Sequence, residues 1–224
     1  KNPLSGIRGA AQLLSQKLPQ EHLNEYTDII INQTDRLTSL VNNILGPNKK
    51  PSFELQNIHA PLENVLHLLQ QDLSESGIDL IKDYDPSIPE ISIDIYLLEQ
   101  SVLNLVKNAK ESLEEGEVFS PEIRIVTRVL RQEFLGQTQH KTVCSISVTD
   151  NGPGIPKDLK DSIFFPMISS KATGSGLGLS ITQGIISQHN GIIKCESEPG
   201  KTEFSILIPI KHQVHDQELR RANA

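Results

Sequence analysis

Two glycine-rich segments constrain this 224-residue chain more than anything else in it. The first, Asp150-Asn151-Gly152-Pro153-Gly154-Ile155-Pro156, follows directly on residues 142–149, where Val143, Ser145 and Ser147 alternate as in a strand. The second, Gly174-Ser175-Gly176-Leu177-Gly178-Leu179-Ser180, opens an apolar helical pattern over residues 177–189. A strand must therefore stop at one and a helix start at the other. A buried carboxylate at a strand end accepts a hydrogen bond from an exocyclic amine, which adenine carries at N6 and guanine lacks at the same place. Glycines beside it let the backbone turn and approach a flat ring; the competing reading is a plain Asp-Asn-Gly turn. The glycines of the second segment expose backbone N–H groups at a helix N-terminus, which cradles phosphate. No Gly-Lys-Ser/Thr follows, so the segment is not a P-loop, and its spacing is not that of a dinucleotide fingerprint.

Residues 94–113 read as a strong helix, with Ile95, Leu98, Val102, Leu105, Val106 and Ala109 on one side. Asn104 and Asn108 stand four apart in it, so their amides point the same way. Amide oxygens are hard ligands suited to Mg2+, which keeps several waters and nucleotide phosphates in its shell. Lys107 lies on a neighbouring face, within reach of phosphate. Asparagine is a poor helix former, so two in one strong helix are unexpected on propensity alone. Between the glycine segments, Phe164, Phe165 and Met167 read as an apolar hinge. The small polar run after them reads as a lid, with Lys171 able to reach a terminal phosphate.

The remaining pattern fills in the fold. Residues 60–75 read as a helix, and 78–83, 122–131, 190–197 and 202–210 as strands. The order predicts an α+β chain whose larger part is a sandwich of helices on one face of a mixed sheet. Residues 131–141 find no place in that scheme. Ahead of it, Leu4, Ile7, Ala11, Leu14 and Leu18 form one apolar stripe, and Leu23, Tyr26, Ile30, Gln33, Leu37, Leu40 and Ile44 a second. Two such helices make an antiparallel hairpin. A lone hairpin cannot bury both stripes, whereas two copies can, as a four-helix bundle. The expected domains are a dimerisation hairpin over 1–46, an ATP-binding domain over 47–211 and a polar tail over 212–224.

Composition narrows the classes. The net charge of −7 argues against a general nucleic-acid binder. Cys144 and Cys195 are far apart with no CxxC, which fits a reducing cytosol and a cytoplasmic location. No apolar stretch has the length of a membrane span. Lys1 is not a natural start, so the chain is expected to be a fragment.

In order and spacing, the Asn104–Ala109 helix, the Asp150 loop, the Phe164–Met167 segment and the Gly174–Gly178 loop resemble the N, G1, F and G2 boxes of the GHKL (Bergerat-fold) ATPases, the family that joins histidine kinases to gyrase, Hsp90 and MutL. Lys1-Asn2-Pro3-Leu4 resembles the tail of the histidine kinase H box, His-Glu-x-Lys-Asn-Pro-Leu. The phospho-accepting histidine of that pattern would precede Lys1 by three residues, and Asn2 would sit one helical turn after it. The run Ser5–Leu14, Phe165-Pro166-Met167 and Thr202–Pro209 are similar to the nitrogen-regulation sensor kinases of the NtrB type. Acidic Glu111 departs from many relatives near phosphate.

The resemblance implies a two-component histidine kinase core with ATP and Mg2+. Its nucleotide-binding residues would be Lys107, Asp150, Gly152, Gly154, Ile155, Lys171, Gly174, Gly176, Leu177, Gly178 and Leu179, with Asn108 and Asn104 at the metal. Asn2 would serve a reverse, phosphatase role. Implied partners are a second copy through residues 1–45, a response regulator of the NtrC type and a PII signalling protein. Two rival readings are another ATPase of this fold, which would carry a glutamate where Asn104 stands, and a dimeric docking module without catalysis.

Overall fold

The computed structural model describes residues 51–169 and 176–210, together with Ile7, Ala11, Gln12, Thr27, Ile30, Ile31 and Thr34 of the N-terminal region. Asn2, Lys171, Gly174, most of the hairpin stripes and the polar tail lie outside the described residues. The seven N-terminal positions are all helical. Ala11, Thr27 and Thr34 are buried, while Ile7 and Ile30, one from each stripe, stand 50% and 41% exposed in the single chain.

From residue 51 the order is β1 (Glu54–Gln56), α1 (His59–Glu75), β2 (Asp79–Asp83), β3 (Ile91–Ile93), α2 (Ile95–Glu115), β4 (Glu122–Leu135), β5 (Thr138–Asp150), α3 (Gly178–Gln188), β6 (Ile192–Glu198) and β7 (Lys201–Pro209). Five strands form a mixed sheet in the order β2-β4-β5-β7-β6. Its β2–β4 pair is parallel and the others are antiparallel. The short strands β1 and β3 pair separately. At three residues each they are too short to show an alternation, and the sequence pattern missed both.

Strand alternation sorts the sheet into two faces. Ile123, Ile125 and Thr127 of β4 stand opposite Asp150, Val148 and Ile146 of β5, which in turn face Thr202, Phe204 and Ile206 of β7. The apolar members of this face join Leu98, Val102, Leu105, Val106 and Leu113 of α2 and Leu62, Leu66, Leu69 and Leu73 of α1 in one core. Each such fully buried side chain contributes about 1.5–3 kcal/mol. The same alternation that buries Val148 brings the last residue of β5, Asp150, onto the helix-covered face.

Residues 131–141, which the pattern left without a place, extend the β4–β5 hairpin. Leu135 pairs with Thr138 around a turn at Gly136. Leu135, Val143 and Leu207 form a small second cluster, with Leu130 and Ile192 packed against it. Charged and polar residues inside the insert hid its period. Among the described residues no helix is long and apolar enough to cross a membrane.

Candidate functional site

Helix α2 begins where the Asp94 carboxylate caps it, accepting the Leu97 N–H at 3.1 Å. From there its apolar stripe fixes the rotation of the helix against the sheet, and Asn104, Asn108 and Ser112 fall on one line along its flank. A cleft of about 600 Å³ opens along that line.

At one end of the cleft α2 meets the first turn of α3. The Asn104 amide nitrogen donates to the Gly178 carbonyl at 3.3 Å and contacts the Thr182 hydroxyl at 3.4 Å. A Cβ built on Gly178 would lie 3.8 Å from Asn104 Cγ and 4.0 Å from Asn108 Nδ2, so both amides face this turn. No side chain caps the start of α3. That end of the helix therefore presents main-chain groups and a positive dipole end without a carboxylate beside them.

At the other end stands Asp150, 4% exposed, whose Oδ1 accepts the Gly152 N–H at 2.9 Å. Gly152 has no room for a side chain: an added Cβ would sit 2.6 Å from Asp150 Oδ1 and 2.9 Å from Ser112 Oγ. The next loop is held by the Ile155 N–H donating to Ser197 Oγ at 2.8 Å, and that hydroxyl meets Thr202 Oγ1 at 2.9 Å. Lys160 also bonds the Ser197 carbonyl. Between the ends, Ile155, Leu159, Ile163, Ile168 and Phe204 give the cleft an apolar wall.

Met167 and Gly176 meet directly. The Met167 N–H donates to the Gly176 carbonyl at 2.9 Å, and Gly176, at φ +65°, brings its Cα so close that a Cβ would fall 2.6 Å from the Met167 carbonyl carbon. Only glycine meets both conditions at low cost. Of the expected apolar hinge, Phe164 packs edge-on to Phe204 at 6.5 Å, while Phe165 and Met167 are exposed.

Of the residues expected at the site, Asn104, Lys107, Asn108, Asp150, Gly154, Ile155, Gly176, Gly178 and Leu179 line this one cleft. Gly152 and Leu177 are buried and do not line it. Ser112, Glu115, Thr202 and Phe204 line it without having been singled out. The signal for Ser112 was present, since it continues the four-residue spacing of Asn104 and Asn108. Thr202 is adjacent to Asp150 only through the β5–β7 register, which no local pattern encodes.

Comparison with known proteins matches residues 93–212 to the family described as histidine kinase-, DNA gyrase B-, and HSP90-like ATPase. Residues 1–52 match the His Kinase A (phospho-acceptor) domain. The chain is 48% identical over 210 residues to the sensory histidine kinase/phosphatase NtrB of Vibrio alginolyticus, covering 94% of this chain and 59% of that protein. The full-length ShkA structure in complex with AMPPNP superposes with a TM-score of 0.63 at 26% identity, covering 93% of this chain and 43% of that one. Histidine kinase ThkA in complex with the response regulator protein TrrA gives 0.61 at 28% identity, covering 94% and 58%. The chain thus spans 59% of the length of the NtrB relative it matches. With the ATPase match covering more than half of its residues and the phospho-acceptor match ahead of it, the chain belongs to the histidine kinase-, DNA gyrase B- and HSP90-like ATPase family, and carries the two domains of a protein histidine kinase.

Proposed function

We propose that this chain is the Mg-ATP-binding and dimerising core of a two-component sensor histidine kinase of the nitrogen-regulation type, acting in the cytoplasm. The observation that carries the reading is the length of the cleft, with paired asparagines against an uncapped helix N-terminus at one end and a buried carboxylate at the other. About 12 Å of α2 separates Asn104 from Ser112 at 1.5 Å per residue, a length suited to a nucleotide lying along the helix. In this reading Asp150 accepts the adenine amine. Lys107 and Lys171, with the main chain from Gly174 to Gly178, neutralise phosphate charge. Gly152, Gly154 and Ile155 shape the base pocket, and Gly176, Leu177 and Leu179 hold the phosphate loop on the core.

The donor set fits Mg2+. Among the described residues no group of three or more His, Cys, Asp and Glu side chains gathers to hold a metal. A cation here must share its shell with phosphate, which is the habit of Mg2+. Asn104 spends its amide nitrogen on α3, which leaves its carbonyl oxygen, with that of Asn108, as the neutral hard donors. Bound Mg2+ supplies charge neutralisation on the phosphates. The protein's own contribution is positioning and electrostatics.

The γ-phosphoryl group would pass to a histidine of the N-terminal hairpin and on to a response-regulator aspartate, with Asn2 serving the reverse, phosphatase reaction. Dimerisation through residues 1–45 is supported by the exposure of Ile7 and Ile30, apolar positions of the two stripes. A response regulator of the NtrC type and a PII signalling protein are the partners the family resemblance favours. Incubation of the full-length protein with γ-labelled ATP tests the reading. Acid-labile label on the protein, transferable to the regulator, is expected; steady ATP hydrolysis with no protein-bound label would favour a general ATPase instead.

A further inference from the structure

Serines and threonines inside helices usually satisfy their hydroxyls on the carbonyl three or four residues back. In this chain Ser101 does so to Leu97, Ser180 to Leu177 and Thr182 to Gly178, at 2.8–3.0 Å. Ser112, in the last turn of α2, makes no such bond, and its half-buried side chain lines the cleft. Its Oγ and Asp150 Oδ1 flank one point, lying 2.9 Å and 2.6 Å from where a Cβ on Gly152 would stand. Both side chains also line the cleft, so a carboxylate that only accepts and a hydroxyl that both donates and accepts stand side by side in its wall.

We propose that Ser112 is a second base-reading residue, its hydroxyl accepting one N–H of the exocyclic amine of adenine while Asp150 accepts the other. The assignment rests on the adenine-nucleotide reading above and extends it, because an amine has two hydrogens and a single carboxylate oxygen satisfies one. An edge read at both hydrogens discriminates against a base that lacks the amine more strongly than Asp150 does alone, since the unmade bond leaves a polar group unsatisfied.

The test is a calorimetric titration of the chain and its Ser112→Ala variant with Mg-ATP and with Mg-purine riboside triphosphate, which has hydrogen in place of the amine. Alanine is the better helix former, so the variant keeps its fold. The substitution is expected to weaken ATP about three- to tenfold, the worth of one hydrogen bond. It should leave the amine-free nucleotide unchanged. An equal loss for both nucleotides, or no loss for ATP, would overturn the role of Ser112 while leaving the ATP site standing. Failure of the unsubstituted chain to bind ATP would overturn the nucleotide reading and this proposal together.

Discussion

The backbone N–H of Asp94 donates to Nε2 of His189 at 3.1 Å, joining positions 95 residues apart in the chain. His189 is buried, and its Nδ1 lies 2.9 Å from the Ile185 carbonyl. A carbonyl only accepts and a backbone N–H only donates, so the ring is neutral with its proton on Nδ1. The Asp94 carboxylate meanwhile accepts from the Ser52 and Leu97 N–H groups at 2.8 and 3.1 Å. Phe53 stands edge-on to the imidazole at 5.0 Å. The entry of the chain from residue 51, the start of α2 and the end of α3 thus share one junction, and the far ends of the same two helices frame the cleft. Replacing His189 by Leu strands a buried N–H. It is expected to cost about 1–3 kcal/mol, read as a lower urea midpoint. His189→Gln, which can still accept, should lose less.

Gly152→Ala tests the packing behind Asp150 and Ser112, both of which line the cleft. The new methyl group would press on Asp150 Oδ1 and Ser112 Oγ. Overpacking of this kind costs about 1–3 kcal/mol. Where the displaced group is the one that reads the base, affinity bears the loss. ATP affinity is expected to fall about tenfold or more, with the far-UV circular dichroism unchanged.

The pH dependence of stability should carry a His59 component. Its ring stacks on Tyr84 at 4.8 Å and its Nε2 meets Thr127 Oγ1 at 3.0 Å. Burial lowers its pKa below the usual 6.5, against the opposing pull of Asp85 and Glu63. A group whose folded pKa is depressed takes up protons first in the unfolded chain. Its contribution is therefore present above pH 6.5 and is lost as pH falls through the lower folded value. His59→Gln should flatten the acid side of the stability profile just below that pH, measured by denaturation at fixed pH steps.

Much of this was legible beforehand because it rests on local periodicity. The apolar stripe of α2 fixed its face, and the four-residue spacing carried Asn104 and Asn108 to the same side. Alternation through Val148 put Asp150 on the covered face of β5. What stayed hidden depends on register and length. Thr202 reaches Asp150 only across a strand pairing. Strands β1 and β3 are too short to show a period, and residues 131–141 break the apolar alternation while continuing the hairpin. The Asp94–His189 bond joins two caps that no sequence window contains together.

Metal removal separates Asn108 from its neighbours. If its amide oxygen helps hold Mg2+, chelation should weaken ATP binding by the unsubstituted chain and change that of Asn108→Ala much less. Titrations with and without a chelator, at constant ionic strength, read the difference.

The central claim is that an adenine nucleotide lies along α2 with its amine on Asp150. Calorimetric titration of the chain and its Asp150→Asn variant with Mg-ATP measures it most directly. Saturable one-site binding is expected of the unsubstituted chain, with loss of that binding in Asp150→Asn, whose amide oxygen stays on the Gly152 N–H and whose NH2 then meets the adenine amine donor to donor. Absence of binding by the unsubstituted chain, or equal affinity in the variant, would contradict it.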